Sequence, residues 1–161
     1  MGRPRAFDTD QAVAAAAVLF AAHGFEGTSV DDLVTATGVH RGSLYKVFGS
    51  KRSLHLTALR AHLEGEVRPA VEAVAAITDP EQALERAVAT FDDGPAAGFL
   101  LLAAAERAPH DPEVAALVEE GVTALEDALR PSHGDAAAQL ASTVLGARLR
   151  LRARPADPKE Y

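Results

Sequence analysis

Between Thr28 and Lys51 the sequence reads TSVDDLVTATGVHRGSLYKVFGSK, and this pattern restricts the fold more than any other part of the 161 residues. Thr28 or Ser29 supplies an N-cap, Asp31 or Asp32 lies in the first turn, and Val30, Leu33, Val34 and Thr37 share one helical face. Gly38 provides a left-handed C-cap, Val39 opens a tight turn, and a second short helix runs from His40 to Phe48 before Gly49 stops it. Helix, glycine turn and short polar-faced helix in this spacing form a helix-turn-helix, a unit whose second helix sits in the major groove of DNA.

Within that second helix Leu44, Val47 and Phe48 are expected to pack inward, which leaves His40, Arg41, Ser43 and Lys46 facing out. Gly42 costs about 1 kcal/mol relative to alanine in a helix interior, and close approach of the backbone to DNA explains it better than stability does. Ser50 caps the next helix, whose first-turn amides and Lys51 ammonium favour a phosphate. Arg3 and Arg5, flanking Pro4, read as a basic arm for phosphates or a minor groove, or equally as a tail with incidental charge.

The net charge of −7 seems to oppose a nucleic-acid partner. Its distribution does not: residues 1–60 hold seven Arg/Lys against five Asp/Glu, and residues 61–161 hold nine against eighteen. A weakly basic head on an acidic body is the expected arrangement. The chain has no cysteine, which excludes disulfides and thiolate metal sites and fits a reducing cytoplasm. The charged N-terminus lacks the apolar centre of a signal peptide, and the longest apolar run, residues 95–105, is about half of a membrane span, so a cytoplasmic protein without membrane contact is expected.

Around the central unit the periodicity predicts helices throughout. A first helix runs from a capping box at Asp8 and Gln11 to Gly24, and a long fourth runs from Lys51 to about Ala76, with a bend or break expected at Pro69. Others span about 80–91, 99–105, 112–129 with Pro131 closing the last, and 135–151. The prediction is an all-α protein of about eight helices, with a three-helix DNA-binding domain at 1–50 and a helical domain at 51–161. The terminal arginines do not form one stripe and read as structural, complementing a helix C-terminus.

The residues Ala17, Phe20, Gly24, Phe25, Thr28, Ser29, Val30, Gly38, Val39, Gly42, Leu44, Tyr45, Phe48, Lys51 and Leu54 stand at spacings that resemble the tetracycline-repressor (TetR) family of bacterial transcription regulators. The resemblance covers about residues 6–60, and FLLLAAAERAPHDPEVAALV is similar to the family's body more loosely. It implies a ligand-responsive repressor that binds a palindromic operator as a homodimer. On matching positions it places Thr28 at a phosphate, Arg41, Gly42, Ser43 and Lys46 at the groove, and Tyr45 and Lys51 on the DNA backbone. His40 departs from the small hydroxyl residue usual there. The body is also expected to be short, ending where the family's last bundle helix begins.

No nucleophile, base and orienter, phosphate loop or metal set is apparent, so no catalysis, cofactor or metal is expected. His55 and His62 lie seven apart without a zinc-protease motif and read as core or solvated side chains. His62, Leu63, Phe91, Phe99 and Leu102 are the candidates for an effector cavity, with core packing the default for each. The alternatives to a ligand-responsive repressor are a helical small-molecule-binding protein and a DNA-bound regulator without a ligand.

Overall fold

Helix α1 (Thr9–His23) begins where the Asp8 side chain accepts the Gln11 N–H, and ends at Gly24, whose φ of 73° releases the chain sideways. The computed structural model describes residues 8–153, so the arm bearing Arg3 and Arg5 and the last eight residues lie outside the described part. Short helices α2 (Val30–Thr37) and α3 (Arg41–Phe48) follow, then α4 (Lys51–His62). The remainder is α5 (Arg68–Ala75), α6 (Pro80–Thr90), α7 (Phe99–Glu106), α8 (Pro112–His133) and α9 (Ala137–Arg152). All regular structure among the described residues is helical, and none of these helices is long and apolar enough to cross a membrane.

The expected long fourth helix is present as a continuous rod, but Pro69 does not break it. Leu63–Val67 widen into a π turn in which the Arg68 N–H reaches back to the Leu63 carbonyl, and the helix resumes as α5 with proline in its first turn. The π turn absorbs the residue whose carbonyl a proline leaves without a donor. Pro131 likewise lies inside the last turn of α8 instead of ending it, and the Ser132 hydroxyl satisfies the Leu129 carbonyl there.

Helix α1 packs on α2 and α4, the rod lays α5 along α8, and α8 pairs with α9. A continuous buried cluster runs from Val13 in α1 to Val144 in α9. Phe20, Phe91 and Phe99 are almost fully enclosed in it, each worth roughly 1.5–3 kcal/mol of burial. Phe91 and Phe99 are therefore core. Leu63 is core as well: it and Leu100 press on Gly121 of α8, where a Cβ would stand 2.9 Å from the Leu63 side chain. Leu102 is half-buried.

Arg148 and Arg152 of α9 are structural. Arg148 donates to the carbonyls of Val88, Ala89 and Asp92 and pairs with Asp93 at 2.8 Å, closing the C-terminus of α6. Arg152 donates to the carbonyls of Ala97 and Ala21. These contacts satisfy orphan carbonyls that a helix end leaves open.

Candidate nucleic-acid interface

The two short helices are set by local chemistry. Ser29 caps α2 in a reciprocal box: its hydroxyl accepts the Asp32 N–H at 3.1 Å while the Asp32 carboxylate takes the Ser29 N–H at 2.8 Å. The Ser29 hydroxyl also donates to the Asp32 carboxylate at 2.6 Å, and this bond, with the one from the Ser29 N–H, holds the Asp32 carboxyl below its ordinary range. Gly38 adopts φ 67°, ψ 15°, the left-handed conformation that turns the chain from α2 into α3 without the Cβ penalty.

Helix α3 buries Leu44 and half-buries Phe48, so its inner face holds it on the head. Outward stand His40, Arg41, Gly42, Ser43, Tyr45 and Lys46, all exposed. Val47 joins them, 48 % exposed, contrary to the expectation that it packs inward, because in an eight-residue helix crossing α2 the inner stripe is only one side chain wide. His40 precedes the helix without making a side-chain cap. The Arg41 guanidinium meets Asp31 at 2.6 Å, an exposed and salt-screened pair that holds it only loosely. At Gly42 an added Cβ would find nothing within 4 Å, so packing inside the protein does not demand the glycine.

Two expected phosphate contacts are placed differently. Thr28 is buried, with its hydroxyl donated to the Gly24 carbonyl at 2.7 Å; it ties the α1–α2 connection together and presents no side chain to the surface. The Lys51 ammonium turns inward, donating to the carbonyls of Phe25 and Thr28 at 2.9 and 3.0 Å and lying 4.2 Å over the Phe25 ring. Both residues are drawn in for one reason: the 24–28 connection carries carbonyls with no helical partner.

A second group of residues, not anticipated from the sequence, fixes the turn after α1 and the start of α4 to the end of α7 and the start of α8. Arg107 also lies over the Phe25 ring at 4.3 Å, the Glu106 carboxylate accepts the Phe25 N–H at 2.7 Å, and Arg52 of α4 makes a bidentate pair with Asp111 at 2.7 Å. Hydrogen bonds from Arg52 hold the Asp111 carboxyl well below the usual carboxylate range. Asp111 also caps α8, accepting the Glu113 and Val114 amides. Inside this ring His55 sits edge-on to Phe20, Phe25 and Phe99, and burial, helped by the Arg107 charge, pushes it down to about 4. These pairs span 59 and 81 residues of chain, beyond the reach of any local spacing rule.

The effector candidates are not brought together. His62 alone among them borders a half-open cleft of about 490 Å³ between α1, the end of α4 with Glu66 of the π turn, and the Pro95–Ala96 loop. The exposed Val18 and the alanine run on the outer side of α1 were the available signal for it, since a helix apolar all round must cover that surface with something. No group of three or more metal-ligating side chains converges among the described residues.

Residues 12–57, from α1 into α4, match the family described as bacterial regulatory proteins, tetR family. The HTH-type transcriptional regulator YezE of Bacillus subtilis, itself uncharacterised, is 36 % identical over 146 residues, covering 80 % of this chain and 69 % of YezE. The chain belongs to the tetR family. Within this family, the HTH-type transcriptional repressor ComR of Escherichia coli K12 is 38 % identical over 90 residues, 56 % of this chain and 41 % of ComR. A cysteine mutant of the TetR family regulator CifR, solved with a 26-base-pair double-strand operator DNA, superposes with a TM-score of 0.77 at 26 % identity, covering 96 % of this chain and 91 % of that one.

Proposed function

We propose that this tetR-family chain is a DNA-binding regulator of transcription that acts as a homodimer. Each copy sets α3 in a major groove, with the two half-sites of an imperfect palindrome one turn, about 34–36 Å, apart or a multiple of it. Residues 1–50 form the reading head and 51–161 the body that pairs the copies and takes a small-molecule effector. The chain works by binding and not by catalysis, represses in the effector-free state, and does so in the cytoplasm.

The observation that carries this reading is the outer face of α3: a helix held by one buried leucine that exposes Arg41, Gly42, Ser43, Tyr45 and Lys46 together. Arg41 and Ser43 are suited to base edges, and Lys46 and Tyr45 to the phosphates beside them. Similarity to CifR, which is seen on operator DNA, supports the same use of the head.

The test is competition binding at about 150 mM salt between the DNA upstream of the chain's own gene and random DNA of equal length. A clear preference for the upstream DNA, relaxed by Arg41→Ala, is expected. Equal affinity for both DNAs overturns the proposal.

A further inference from the structure

The cleft beside α1 is walled by two parts of the molecule that a regulator must coordinate. Ala14 and Val18 come from α1 in the head, whereas Ala61 and Glu66 come from the rod and Pro95 from the loop before α7. Its volume of about 490 Å³ is within the roughly 300–1,000 Å³ of small-molecule sites, and its surface is largely apolar. Among the described residues, the carboxylates bordering it are those of Asp10 and Glu66, with no lysine or arginine beside them.

Behind the apolar wall is a buried polar point. His62 is 3 % exposed, and its Nε2 lies 2.8 Å from the Asp92 carboxylate. Asp92 is held at a φ of 51° and also accepts the Leu100 and Leu101 amides at the start of α7. The Asp92 carboxylate thus takes three bonds, while the enclosed His62 Nδ1 has no hydrogen-bond partner among the described residues. A buried ring nitrogen left open in this way costs stability unless something else pairs with it.

From the apolar walls and the acidic rim, we propose that this cleft binds a hydrophobic alkylammonium compound. Its hydrocarbon lies along Ala14, Val18, Ala61 and Pro95, and its ammonium group sits at the Glu66 carboxylate. Coupling to DNA rests on the proposed regulatory function; binding to the cleft does not.

Octylammonium is the probe, with octanoate of the same length as the opposite charge, both titrated calorimetrically into the DNA-free protein. One octylammonium binds per chain, octanoate binds at least roughly ten-fold more weakly, and Glu66→Gln weakens octylammonium about five-fold or more. Val18→Arg and Ala61→Phe, both at exposed positions that leave the fold intact by circular dichroism, abolish binding. Absence of octylammonium binding, equal binding of octanoate, or binding that survives both cleft substitutions overturns the proposal. In a separate arm, octylammonium lowers affinity for the preferred DNA in the wild type and not in Val18→Arg. A protein that binds octylammonium in the cleft but shows no DNA preference refutes the regulator reading and leaves the cleft assignment standing.

Discussion

Gly42→Ala separates the demands of folding from those of DNA. Glycine in the middle of a helix is less favourable than alanine by about 1 kcal/mol, because it loses more backbone freedom on folding. At Gly42 nothing offsets that cost inside the protein: a Cβ meets no atom within 4 Å and the backbone does not adopt a positive φ. Alanine should therefore stabilise the free protein by about 1 kcal/mol, which for a chain of this size raises Tm by roughly 2–4 °C. The same methyl stands on the outer face of α3 between Arg41 and Ser43, where it holds the helix off the groove floor. Losing one well-made base contact is worth about 1–3 kcal/mol, so affinity for the preferred DNA should fall about 5- to 150-fold. Calorimetric unfolding and fluorescence anisotropy on the same preparations measure the two effects. A lower Tm would reveal a packing role for the glycine, and unchanged DNA affinity would remove the α3 face around Gly42 from the interface.

Lys51→Ala should act mainly on stability, lowering it by about 1–3 kcal/mol through the loss of two hydrogen bonds to buried-turn carbonyls, while changing the salt slope of DNA binding by less than one unit; denaturant midpoints and affinities at several salt concentrations check it, and a full unit of slope with unchanged stability would return Lys51 to the phosphates. His55 titrates at about 4 in the folded chain against an ordinary value near 6.5, so its contribution is complete above 6.5 and is lost as pH falls from 6.5 towards 4. That loss amounts to about 3 kcal/mol, and His55→Leu should flatten the stability–pH curve in this window when followed by urea denaturation; a curve as steep as the wild type assigns the acid sensitivity elsewhere.

The head was legible because its information is local. A capping box, a glycine at φ 67° and an apolar stripe each involve residues at most a few positions apart, and Ser29, Gly38 and Leu44 fall where the spacing puts them. The side chains that failed expectation, Thr28 and Lys51, are polar groups captured by backbone carbonyls of a connection whose path only the folded chain defines. Phe91 and Phe99 show the converse limit: nothing in an apolar residue's neighbours along the chain distinguishes a cavity wall from a filled core. The junction was invisible because Arg52 and Asp111 meet across 59 residues.

The ties between head and body are also unequally placed. Among the described residues, every side-chain hydrogen bond that fastens α1 or its following turn to residues beyond position 50 falls near the C-terminal end, at Ala21, Phe25, Glu26 and Thr28. The Lys51–Phe25–Arg107 stack lies at the same end. At the other end the Asp8 carboxylate caps the helix by accepting the Gln11 N–H, and the cleft opens beside Asp10 and Gln11. A helix pinned at one end and bordered by a cavity at the other moves most easily by pivoting about the pin. A displacement of α1 at its free end therefore acts against the apolar packing of Val13, Ala16 and Ala17, and one that carries α2 along acts also on the Lys51 bond to the Thr28 carbonyl.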